Sequence, residues 1–146
     1  MVTLTFEKQI NAPAQKVWEA LWSNDTYSEW TKHFSPGSKM ITDWKTGGTT
    51  KFVDANEKTG MIHTISKLNE PYEVVFSAKG IIKDGIEDLD SNEVKVISGA
   101  EEGYELEEKD GITILKGFVD VMPEYEEHMK AGFEKGFEEV KKLAEK

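Results

Sequence analysis

At 146 residues with 38% hydrophobic and 10% aromatic content, the chain is long enough for one domain with a real core and too aromatic for disorder. It has no cysteine, which excludes disulfides, thiolate metal sites and cysteine nucleophiles, and its net charge is −10 with every basic residue a lysine. Lacking the guanidinium fork and a basic face, it is a poor partner for nucleic acid or anionic membrane, and its acidity reads as a solubilising surface.

No apolar run approaches the ~20 residues of a membrane span. The opening MVTLTFEKQINAP has neither a basic nor an apolar signal region, so the expected setting is cytoplasmic.

Residues 2–10 alternate, with Val2, Leu4, Phe6 and Ile10 on one face and Thr3, Thr5, Glu7 and Gln9 on the other, predicting a half-buried strand. Asn11-Ala12-Pro13 stops it. Asn11 or Ala12 offers a cap, Pro13 suits a first helical turn, and AQKVWEALW (14–22) presents Val17, Trp18, Leu21 and Trp22 as an apolar face. Ser23-Asn24-Asp25 ends this helix. A second short one, TYSEW, is expected to start on Asp25 as its cap, with Tyr27 and Trp30 facing one side.

Strands are predicted at 38–44 and 49–55, joined through Lys45–Gly48, then at 61–69 and, past Glu70-Pro71, at 72–80. The loops between them are too short for parallel crossovers, so the pairing is antiparallel. Residues 81–100 read as an acidic excursion with one helical turn over Asn92–Val96 capped by Ser91, serving either as a lid or as a solvated loop. Strands at 102–109 and 112–121 flank Asp110-Gly111, a strong hairpin signal. From Pro123 to Lys146, apolar side chains at Tyr125, Met129, Phe133, Phe137, Val140 and Ala144 make one stripe of a long helix, with lysines at its C-terminal end.

The expected fold is α+β: a seven-stranded curved antiparallel sheet wrapped around a long C-terminal helix, with two short helices after strand 1. Residues 1–146 read as a single domain. A sheet curled about a helix leaves room between them.

His33, His63 and His128 have no metal-ligand spacing, and the chain carries no Gly-x-Ser-x-Gly, Walker or dinucleotide motif, so no metal or cofactor is expected. His63 shares a strand face with Met61 and Ile65 and is the polar group expected inside a cavity, whereas His128 is expected in solvent. The carboxylates of EEGYELEE (101–108) read as exposed positions of an acidic strand. Gly132 and Gly136, one turn apart on the long helix, allow close approach to the sheet or an opening for a ligand. The candidate lining is aromatic and aliphatic: Trp18, Trp30, Phe34, Phe52, Phe76, Tyr104, Phe118, Met129, Phe133 and Phe137, with His63 among them.

The chain resembles the START-like (SRPBCC) helix-grip superfamily, and within it the AHSA-type family, similar to the C-terminal domain of the heat-shock-protein-90 ATPase activator. The resemblance rests on Ala12, Pro13, Val17, Trp18 and Trp30 around the first helices, Gly47-Gly48 before a strand, and Leu68 and Pro71 between two central strands. It implies a cavity with the C-terminal helix as one wall, hence Met129 and Phe133 in the site. It also implies non-catalytic binding of a hydrophobic or amphipathic small molecule, lipid-like or aromatic. A chaperone-regulating interaction module is the alternative, and a small cyclase or hydrolase using His63 is the second. The 81–100 segment departs from the family pattern in its length and acidity.

Overall fold

The computed structural model describes residues 1–146. Its strands are β1 (Val2–Ile10), β2 (Lys39–Thr42), β3 (Thr49–Val53), β4 (Gly60–Asn69), β5 (Glu73–Lys83), β6 (Ile86–Asp88), β7 (Glu101–Lys109) and β8 (Ile112–Val121). Helices α1 (Ala14–Trp22) and α2 (Asn24–Thr31) follow β1, α3 (Asn92–Ile97) follows β6, and α4 (Glu126–Ala144) closes the chain behind a 3-10 turn at Pro123–Tyr125. The strands form one antiparallel sheet in the order β1-β8-β7-β5-β4-β3-β2, with β6 pairing β5 off that path.

Burial alternates along β1 and β8 as a one-sided sheet requires. Their register opposes Leu4 to Val119 and Phe6 to Gly117, which places the apolar residues of both strands on the concave face. On that face lies α4, whose stripe sinks progressively: Tyr125 is 59% exposed, Met129 half-buried, and Phe133, Phe137, Val140 and Ala144 buried. Phe133 stacks on Phe6 with ring centroids 4.8 Å apart. Gly117 makes room for the helix, because a Cβ there would stand 2.8 Å from Phe137 Cζ.

Gly132 and Gly136 face α2 and the turn beyond it rather than the sheet. A Cβ on Gly132 would lie 2.5 Å from the Phe34 ring, and one on Gly136 would lie 3.0 Å from the Trp30 ring. Both glycines therefore serve close packing of α4 against the aromatic pair Trp30 and Phe34.

Three local features differ from expectation. The N-cap of α2 is Ser23, with Asp25 inside the first turn, where its charge suits the helix N-terminus. Pro13 is the N-cap of α1, and a carboxylate from the sheet satisfies that helix, Glu108 Oε1 accepting the Ala14 N–H at 2.7 Å. The 81–100 excursion holds an eighth strand, because β5 runs on to Lys83 and turns through Asp84-Gly85 into β6. Both turn residues have positive φ, 51° and 76°, as a two-residue type I′ hairpin demands. The expected helix of this segment is present as α3, with Ser91 Oγ accepting from the Val94 N–H.

Phe118 is a correction. It was expected to converge on the cavity, but the period of two places it on the convex face of β8, between the inward Gly117 and Val119. Its ring lies over Gly103 on β7, where a Cβ would stand 2.3 Å from Phe118 Cε1. The glycine gives the phenylalanine a seat outside the sheet, beside Glu7, Glu73, Glu105 and Lys116 in an open, charged groove.

Candidate functional site

Two adjoining cavities lie between the concave face and α4, and they share Met61, His63, Glu102 and Met129 as walls. The first, of about 320 Å³, is bounded by Tyr27 and Trp30 of α2, Phe34 beyond it, Phe52 of β3, Tyr104 of β7, and Met129 and Phe133 of α4. The second, of about 500 Å³, runs toward the start of α4 under α3, between Ala78, Ile81, Val96, Ile97, Val121 and Tyr125. Each lies within the ordinary range for small-molecule sites; the second is mostly apolar, and the first sets its aromatic wall beside Thr31, Ser35, Ser38, Asp54 and Thr59 as well as His63 and Glu102.

Of the side chains singled out from the sequence, Trp30, Phe34, Phe52, His63, Tyr104, Met129 and Phe133 line the first cavity. Trp18, Phe76 and Phe137 belong to the filled core instead. Phe76 is fully buried beneath Phe52, ring centroids 5.1 Å apart, and Trp18 packs on Trp44 at 5.7 Å. His33 and His128 lie outside both cavities, and no three His, Asp or Glu side chains come together as a metal site.

The polar centre combines His63, which the sequence places inside, with Glu102, which the sequence places outside. Glu102, placed from its acidic neighbours among exposed carboxylates, faces inward. It sits opposite Val119 and two residues before Tyr104, so it shares the inner face with Tyr104 and Leu106. The Tyr104 hydroxyl donates to Glu102 Oε2 at 2.5 Å. Burial raises the Glu102 carboxyl above its ordinary value, and the hydrogen bond from Tyr104 offsets only part of that rise. The Tyr104 phenol is pushed well up by burial and then by the Glu102 charge, and the Tyr27 phenol is raised by the same two causes. The spacing Glu102-x-Tyr104-x-Leu106 was the available signal, since period two links the three.

His63 stands on β4 opposite Ala78 of β5, and on the other side of β5 Glu102 pairs with Phe76. The two polar residues thus flank one strand, His63 level with Ala78 and Glu102 level with Phe76. His63 is 6% exposed, its ring edge-on to Phe52 at 5.1 Å, and its Nδ1 is buried without a hydrogen-bond partner. Burial lowers its pKa to about 4, so the imidazole is neutral at neutral pH. The site therefore offers a cleft with an aromatic wall, a carboxyl with a phenol on it, and a buried neutral imidazole.

The sequence profile of a family described as "Activator of Hsp90 ATPase homolog 1-like protein" matches residues 11–145. No curated protein matches the sequence. Among solved structures, the chain is similar to the Aha1 dimer from Colwellia psychrerythraea, at 18% identity and a TM-score of 0.71 over 99% of this chain and 97% of that one. It is similar to protein MLL2253 from Mesorhizobium loti, at 16% identity and a TM-score of 0.71 over 97% and 96% of the two chains. It is also similar to an AHSA1-like protein from Aeromonas hydrophila, at 16% identity and a TM-score of 0.68 over 99% and 92%. At such identities the structural likeness carries the fold, which is the helix-grip fold.

Proposed function

Because this chain belongs to the activator of Hsp90 ATPase homolog 1-like family, with the helix-grip fold expected of it, we propose that it binds an amphipathic small molecule without catalysis. The ligand lies between the sheet and α4. The observation that carries this reading is the pair of cavities meeting at Met61, His63, Glu102 and Met129, in a protein whose remaining interior is tightly filled with aromatic rings. A filled core leaves few voids larger than a water molecule. Space on this scale, walled by Phe52, Met129 and Phe133 and holding an unpartnered imidazole nitrogen, matches a receptor for something with an apolar body and a polar end.

Two other readings are weaker. A chaperone-regulating module draws support from the family's description. A small cyclase or hydrolase draws support from Glu102, Tyr104 and His63, which add an acid to the single histidine nominated from sequence. Binding stands ahead of both because it uses the cavity walls as well as the polar centre.

The test is uptake of a neutral apolar fluorophore such as Nile red by the unaltered protein and by Met129→Trp, which puts a bulky ring where the cavities join. Saturable binding near one equivalent, weakened at least tenfold in a variant with an unchanged far-UV spectrum, is expected. Absence of saturable uptake would refute the reading.

A further inference from the structure

Resting on that reading, the geometry points to a ligand that carries a positive charge: an alkyl- or arylammonium whose nitrogen sits against Glu102 and whose apolar remainder extends under α3.

The first observation is the sign of the walls. Glu102 is the carboxylate held inside, and no lysine lines either cavity. The chain has no arginine at all. Glu102 is half-buried, and a carboxylate drawn partly out of water without a countercharge is costly, which one hydrogen bond from the Tyr104 phenol compensates only in part. A cation delivered by the ligand supplies the missing partner. An anion would instead meet Glu102 at close range in a poorly screened chamber.

The acids at the rim do not change that sign. Glu93 of α3 is held by Lys83 at 2.6 Å, and Asp120 accepts from the Thr3 hydroxyl at 2.6 Å and the Glu101 N–H at 2.9 Å. Lys83 is thus engaged at the surface, and Glu101 and Glu124 add further negative charge along the second cavity.

The second observation is independent of the acids. His63 is more than nine-tenths buried, lines both cavities, and leaves Nδ1 unpartnered. A neutral imidazole has one acceptor nitrogen and one N–H donor, and an ammonium N–H is a donor that carries no acceptor of its own. A primary ammonium against Glu102 keeps further N–H donors for other polar atoms of the cavity wall. The aromatic faces of Tyr27, Trp30 and Phe52 complete an enclosure of the kind that favours cations. An amine therefore answers the uncompensated carboxylate and the aromatic wall together, while a fatty acid answers neither.

The probes are decylammonium, decanoate and decanol, with equal chains and different ends, each titrated below its micelle concentration and followed by displacement of Nile red. The expected order is decylammonium tighter than decanol and decanol tighter than decanoate, with at least tenfold between the first and last. In Glu102→Gln, which keeps an acceptor for Tyr104, the ratio of decylammonium to decanoate affinity is expected to fall at least fivefold. Equal binding of the three, a preference for decanoate, or failure of all three to displace bound Nile red would overturn the ammonium assignment while leaving the cavity reading standing. Absence of saturable Nile red uptake in the first place would overturn both. The headgroup ranking on the unaltered protein decides the matter even if the variant does not fold.

Discussion

Glu102 and Tyr104 stand two residues apart on β7 with both side chains on the concave face, the phenol donating to the carboxylate at 2.5 Å inside an aromatic chamber. This pairing puts an acid where period-two logic alone would place a core residue. It leaves the Glu102 carboxyl raised above its ordinary value by burial, with the phenol's hydrogen bond offsetting part of the rise.

The first prediction concerns stability above the ordinary carboxyl range. The folded-state pKa of Glu102 is raised from 4.5, so the folded chain holds that proton more tightly than the unfolded chain. Its contribution is fully present below about pH 4.5 and is lost as pH rises through the raised value. Glu102→Gln removes the loss. In urea unfolding followed upward from pH 4.5, the variant is expected to gain stability relative to the parent as pH rises. A parallel pair of profiles would show that Glu102 is solvated.

His63 acts with the opposite sense. Its pKa falls from 6.5 to about 4 on burial, so the unfolded chain takes the proton first, and stability drops as pH falls from 6.5 toward 4. At 1.36 kcal/mol per unit, the loss is of order 3 kcal/mol across that window. His63→Gln is expected to flatten the acid limb measured by urea unfolding. Since the Glu102 and His63 windows overlap with opposite signs, only the single variants separate them. An acid limb unchanged in His63→Gln would place the imidazole in water.

Two glycines opposite aromatic rings should differ sharply. A Cβ on Gly117 meets the Phe137 ring at 2.8 Å, and that ring is 2% exposed and hemmed in by Trp30, Tyr104 and Phe133. Gly117→Ala is expected to cost about 1–3 kcal/mol by overpacking. A Cβ on Gly103 meets Phe118 at 2.3 Å, but that ring lies on the open convex face and can swing aside, so Gly103→Ala should cost less than about 1 kcal/mol. Chemical denaturation of both variants gives the comparison. Equal costs would contradict the placement of Phe118 outside the sheet.

Much of the fold is legible before any coordinates, because its signals are local and periodic. The alternation of Val2 to Ile10, the Asp110-Gly111 turn and the stripe from Met129 to Ala144 each specify an element and its buried face. Asp84-Gly85 is the same dipeptide with the same positive φ pair, yet it is masked by the surrounding acids and by a partner strand of three residues. The site is less legible than the fold. Alternation divides β7 and β8 into two faces, but at Glu102 and Phe118 polarity points the wrong way, with the acid inside and the phenylalanine outside. Both follow from the register that sets Glu102 against Val119 and Gly103 against Phe118. Pairing register is a long-range property, and residue hydrophobicity at one position does not encode it. Filling is equally non-local, since Trp18, Phe76 and Phe137 are as aromatic as Phe52 and Phe133 and differ only in what packs above them.

The most direct test of the central claim is native mass spectrometry of the protein purified from the cells that make it. A non-covalent adduct of small-molecule mass, lost on denaturation and absent from Met129→Trp, is the predicted result. A bare polypeptide mass in the unaltered protein, together with no saturable uptake of Nile red, would contradict it.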